Sequence, residues 1–81
     1  MSKQTTSRAI LAGNLRRLRE AEGLSQERLA EVAGFHRTYV SQIEREQSNI
    51  TIDNLERLAE TLGVSTSLLL SEPEKTASGT R

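Results

Sequence analysis

The chain has 81 residues, no cysteine, and a formal net charge of zero from 11 basic and 11 acidic side chains. That length fits one small domain with a modest core and no separate ligand-binding domain. The missing cysteines exclude disulfide staples and thiolate metal sites. With 35% hydrophobic residues, and only Phe35 and Tyr39 as aromatics, the core must be built from Leu, Ile, Val and Ala, which suits a helical bundle.

Residues 1–7 (MSKQTTS) are polar and are expected to form a flexible N-terminus. A first helix is predicted over residues 8–22, with Leu11, Leu15 and Leu18 as its buried stripe and Gly23 as its stop. Ser25 is a good N-cap for a second helix, Gln26–Ala33, whose apolar side is Leu29, Ala30 and Ala33. Its capping box is incomplete, because Arg28 stands where Glu or Gln is expected. Gly34 ends this helix in a left-handed turn. A third helix begins at Arg37 and ends at Arg45 or Glu46. After the polar loop Gln47-Ser48-Asn49, either Asn49 or Thr51 caps a fourth helix, Ile52–Leu62. Ile52, Leu55, Leu58, Ala59 and Leu62 share one face of it, and Gly63 terminates it. Ser65 caps a short fifth helix over residues 66–70, before Pro73. Residues 71–81 almost lack apolar side chains and are expected to form a disordered tail. The chain therefore reads as an all-α, compact five-helix bundle over residues 8–70.

The third helix carries the functional signal. At about 100° per residue, Val40, Ile43 and Glu44 share the inward side. Thr38, Ser41, Gln42 and Arg45 form the opposite face, with Arg37 on the leading turn. A polar helix face is ordinarily just solvated. Here it follows a short helix and a glycine turn, and its side chains suit base edges in a major groove. Arg pairs with guanine, Gln with adenine, and Thr packs its methyl on thymine. Residues 1–45 hold eight basic and five acidic side chains, against three and six in residues 46–81. The helix-turn-helix half is thus the basic half.

Residues 10–70 resemble the lambda-repressor-like helix-turn-helix domains of the Xre/Cro group. The matching features are Leu24-Ser25-Gln26-Glu27, Leu29-Ala30, Ala33-Gly34, Val40-Ser41-Gln42-Ile43-Glu44, and Leu58-Ala59 through Leu62-Gly63-Val64-Ser65. Within the group, HRTYVSQIER followed by SNITIDNLERLA is most similar to the small controller proteins of restriction–modification systems. The resemblance implies a motif over residues 26–45 and assigns roles by position. Arg37, Thr38, Ser41 and Gln42 would read bases. Gln26 would touch a phosphate and brace the third helix, while Arg45, Gln47 and Asn49 would hold phosphates. Tyr39 lies beside the core, so it is either partly buried or a phosphate ligand through its hydroxyl. His36 is the only histidine, which argues against a metal site. It fits a turn or N-cap position with a phosphate contact.

An unpaired carboxylate on the inward side of a helix would be costly. Arg19 lies at the edge of the first helix's leucine stripe, and similar proteins pair an Arg and a Glu at the matching places. An Arg19–Glu44 salt bridge is therefore expected.

These features predict a sequence-specific, double-stranded DNA-binding transcriptional regulator. One small helix reads too few bases for a genomic site, so a homodimer on a pseudo-palindromic operator is expected. Val64, Leu68, Leu69 and Leu70 either form its interface or close the monomer core. An antitoxin using the same helices for autoregulation is the alternative. No nucleophile–base pair, metal cluster or phosphate-cradling glycine loop points to an enzyme. No cofactor or small-molecule effector is expected. No apolar run approaches the ~18 residues of a membrane span and no leader resembles a signal peptide, so a cytoplasmic location follows.

Overall fold

Helix boundaries follow from local capping chemistry. The computed structural model describes residues 6–73. Within them lie α1 (Ser7–Ala21), α2 (Gln26–Ala33), α3 (Arg37–Glu44), α4 (Ile52–Leu62) and α5 (Thr66–Leu69). Thr6, Ser25, Thr51 and Ser65 each accept a bond from the backbone N–H three residues on, at 2.9–3.1 Å. Each such cap stabilises its helix by about 1 kcal/mol. The Thr6 cap starts α1 at Ser7 rather than at Arg8. Of the flexible segment expected for residues 1–7, residues 1–5 lie outside the described residues and Ser7 is already helical; of the disordered tail expected for 71–81, residues 74–81 lie outside them.

The core forms where five stripes meet. Leu15, Leu29, Val40, Leu58 and Leu69 are fully buried, one from each helix. α3 packs on α1 and α2, α4 on α2 and α5, and α5 returns to α1. The α1–α5 contact is polar at its centre. The buried Asn14 amide donates to the carbonyls of Leu69 and Ser71, both at 2.8 Å, and to that of Leu68 at 3.3 Å. It thereby gives the Leu69 carbonyl at the end of α5 a donor, while the Leu68 carbonyl also accepts from the Ser71 N–H at 3.2 Å. Arg17 in turn donates to the Asn14 side-chain oxygen.

Three apolar positions differ from expectation. Leu69 is a core residue with no exposed surface and is not available to a partner. Insertion of α5 against α1 and α4 buries it. Val64 is half-buried and packs against the same core, so it too serves mainly the monomer. Ile52 continues the α4 stripe by spacing, yet is 70% exposed. Among the described residues no helix covers Ile52 on the first turn of α4. Ile52 instead borders an open groove of about 230 Å³ with Leu11, Ile50, Leu55 and Leu70. Leu68 and Leu70 are also exposed. Among the described residues no helix is long and apolar enough to cross a membrane.

Candidate nucleic-acid interface

The turn between α2 and α3 sets the angle at which α3 is presented. Gly34 has φ 83°, a left-handed conformation that a side chain would strain. The Phe35 N–H then reaches back to the Ala30 carbonyl at 2.7 Å. Phe35 and Tyr39 pack with ring centroids 5.1 Å apart, and the Arg57 guanidinium sits 4.9 Å over the Phe35 ring. This aromatic pair wedges the leading turn of α3 against α4.

The inward side of α3 is apolar except at Glu44. Val40 and Ile43 are buried, and the Glu44 side chain has no exposed surface. Its carboxylate is fully engaged. Arg19 Nε donates to Oε2 at 2.7 Å, Arg19 Nη2 to Oε1 at 3.1 Å, and Gln26 Nε2 to Oε1 at 2.9 Å. Arg19 Nη1 also donates to the Leu24 carbonyl at 2.8 Å. One carboxylate thus joins α1, the α1–α2 loop, the start of α2 and the end of α3. Burial alone pushes the Glu44 carboxyl up. The bonds from Arg19 and Gln26, with the charges of Arg19 and Arg16, outweigh burial and hold it below the ordinary carboxylate range. The bond to Glu44 raises the Arg19 guanidinium further, against the opposing effect of burial.

The outward side is polar throughout. Arg37, Thr38 and Arg45 are exposed, and Ser41 and Gln42 are half-buried. No apolar side chain interrupts this face, so its donors and acceptors stand free for a ligand. His36 is the exposed N-cap of α3 and makes no side-chain capping bond. Tyr39 is partly buried, the first of its two expected readings. Its ring is half-buried against the core, while its hydroxyl accepts from Asn54 Nδ2 at 3.0 Å and keeps its own proton to donate.

Gln26 is placed by its bond to Glu44, which leaves one amide hydrogen for an outside acceptor. Beyond α3, Glu46 takes a left-handed φ of 63°, and the Gln47 N–H caps the Gln42 carbonyl at 2.8 Å. Gln47 and Asn49 are both exposed. Arg8 donates to the Asn49 side-chain oxygen. Arg8 and Arg16 were not singled out from sequence. Arg8 meets a loop 41 positions away, and nothing in its local pattern announces that contact.

Residues 15–69 match the helix-turn-helix family HTH_3. A hypothetical transcription factor of Neisseria meningitidis serogroup B is 47% identical over 68 residues, which are 84% of this chain and 64% of that protein. The chain therefore spans less than two thirds of that relative. Control protein C.SmaI of Serratia marcescens is 47% identical over 62 residues, covering 76% of this chain and 74% of that one. Among solved structures, the hypothetical transcription factor NHTF from Neisseria superposes with a TM-score of 0.83 at 40% identity, over 96% of this chain and 93% of that one. The restriction-modification controller protein C.AhdI from Aeromonas hydrophila gives 0.74 at 40% identity, over 76% and 94%.

Proposed function

The chain belongs to the HTH_3 family of helix-turn-helix DNA-binding transcriptional regulators, and we propose that it acts as a homodimeric regulator of the controller type on a pseudo-palindromic operator. The carrying observation is the uninterrupted polar face of α3, held outward by a buried ion pair on its other side. In this reading Arg37, Thr38, Ser41 and Gln42 read base edges from the major groove. Gln26, His36, Tyr39, Arg45, Gln47 and Asn49 hold the flanking phosphates.

Exposed apolar surface supports the dimer. Ile52, Leu68 and Leu70 are 70%, 46% and 41% exposed, and Ile52 and Leu70 border one groove. The relatives named as control proteins support the controller assignment. Its site of action is the cytoplasm, where a dimer that forms with rising concentration switches its own occupancy of DNA.

Selection from randomised duplexes, followed by sedimentation of the protein alone and on the selected DNA, tests this reading. The expected result is an inverted repeat with half-sites roughly 34–36 Å apart, bound by two chains. With roughly 6–10 phosphate contacts, affinity should fall about 10³–10⁵-fold between 50 and 200 mM salt. One chain on an asymmetric site would refute the dimer.

A further inference from the structure

Glu44 is approached by more positive charge than it needs. Arg19 neutralises it through two bonds, and Gln26 occupies Oε1 as well. Arg16 Nε nonetheless lies 3.6 Å from that same oxygen. This is too long for a hydrogen bond and close enough for charge attraction. The Arg16 side chain is 54% exposed, against 11% for Arg19. Arg19 Nη2 also lies 3.9 Å from the exposed Glu20 carboxylate, so Arg16 is the guanidinium of this cluster that is both exposed and without a hydrogen bond.

The other arginines sharpen the contrast. Arg8 is bound to Asn49, Arg17 to Asn14, Arg19 to Glu44 and Arg28 to Glu31, while Arg57 lies over Phe35. Among the described residues, Arg16, Arg37 and Arg45 have neither a hydrogen-bonded side-chain partner nor an aromatic ring beneath them. Arg37 and Arg45 lie on the outward side of α3. Arg16 lies on α1, outside the helix-turn-helix, where its shared contact with Glu44 Oε1 sets it beside Gln26 at the start of α2.

We infer that Arg16 is a DNA-phosphate ligand contributed by α1, on the strand that borders the groove entered by α3. The inference rests on the DNA-binding reading and adds one contact per subunit to it. A base contact is excluded by position, because Glu44 lies on the side of α3 opposite the reading face. The guanidinium suits a phosphate for two reasons. Its planar fork matches two phosphate oxygens. Its nearest approach to Glu44 is through Nε, and the side chain is 54% exposed.

The test uses the full chain and two 30-base-pair duplexes, one carrying the selected operator and one unrelated. Fluorescence anisotropy is titrated between 50 and 200 mM salt for wild type, Arg16→Gln, Arg16→Lys and Arg17→Gln. Arg16→Gln should weaken both duplexes by the same factor and flatten the slope of log affinity against log salt by about 0.9 per subunit. Over this salt range that equals a loss of salt sensitivity of roughly 3- to 4-fold per subunit. Arg16→Lys should keep the slope, because the slope counts charges. Arg17→Gln removes the same charge from the same helix, at a residue engaged with Asn14, and should leave the slope unchanged.

A wild-type slope in Arg16→Gln overturns the inference while leaving DNA binding intact. Equal flattening in Arg17→Gln reduces the effect to net charge and also overturns it. A flat response in the wild type overturns DNA binding and the Arg16 contact together. Arg16→Gln should melt with the wild type. Loss of the fold would mean that the guanidinium is committed to stability, and would equally overturn the inference.

Discussion

Arg19 and Glu44 stand 25 positions apart and meet in a two-pronged ion pair, Nε to Oε2 at 2.7 Å and Nη2 to Oε1 at 3.1 Å. Both side chains are almost or wholly buried, so neither charge has water to fall back on. Removing one partner strands the other. Glu44→Ala should therefore cost about 3–5 kcal/mol, and lower Tm by at least about 12 °C for a domain of this size. Replacing both residues, as in Arg19→Met with Glu44→Leu, should recover much of the loss. Thermal melts of the single and double variants decide it. A Glu44→Ala variant that melts like wild type would show that the carboxylate does not hold the helices together.

The same carboxylate gives the fold an acid limit. Its folded pKa lies below the ordinary value of 4.5. A depressed carboxyl contributes stability fully above its unfolded pKa, and that contribution is lost as pH falls through the folded value. Wild type should therefore exceed Glu44→Gln in stability by a constant amount near pH 7. The difference should shrink progressively below about pH 4.5. Urea midpoints measured from about pH 7 to about pH 3 would show it, and a gap independent of pH would sink the assignment.

Asn14 presents its amide donors to three carbonyls at the end of α5. Asn14→Ala leaves the Leu69 carbonyl buried without a donor and should cost about 1–3 kcal/mol. Asn14→Asp should be worse at neutral pH, because a carboxylate would face carbonyl oxygens with no hydrogen to offer. Denaturant titration ranks the two, and the reverse order would count against the donor role.

In the proposed function, reading and holding separate at the two ends of α3. Arg37 is exposed on the leading turn, next to the exposed Thr38, while Arg45 is exposed beyond the last turn. Arg37→Ala should cost about 1–3 kcal/mol per half-site and relax preference at one base position. Arg45→Ala should weaken every sequence alike and lower the salt slope by about one per subunit. Binding to a panel of operator variants at two salt concentrations distinguishes them. If Arg37→Ala weakens all sequences equally, its reading role is lost.

The exposed Ile52, Leu68 and Leu70 should behave oppositely to the buried Leu69. Ile52→Glu or Leu70→Glu should leave the melt near that of wild type and shift a micromolar solution toward monomer. Leu69→Glu should unfold the chain, because it places a carboxylate at a fully buried position. Sedimentation and circular dichroism on the three variants provide the check. A folded Leu69→Glu variant would contradict the placement of α5.

Sequence legibility followed the range of the interaction. Ser25, Thr51, Ser65, Gly34 and Gly63 act within a few residues of themselves, so the ends of α2 and α4 and the start of α5 could be read directly. The outward face of α3 was equally readable, because helical period and residue type suffice to define it. Leu69 and Ile52 could not be sorted by the same means. Both are large, apolar and helical, and only the docking of α5 decides which one is covered. Arg8 and Asn14 were invisible for a related reason, since their partners lie 41 and 54 to 57 positions away. Arg16 carries no signal in the sequence, because a charged residue on a helix edge normally means only solvation. Its meaning comes from Glu44 already having Arg19.

The Asn14–Leu69 contact spans 55 positions and so closes a loop containing most of the described chain. Loop closure carries an entropic cost that grows with length, and contacts of long sequence separation slow folding. α2 and α3 can associate across a three-residue turn well before α5 reaches α1. The helix-turn-helix should thus form early, with α5 docking as the late, sealing step. Substitutions at Asn14 or Leu69 should then act chiefly by speeding unfolding, whereas those at Ala30 or Val40 should slow folding.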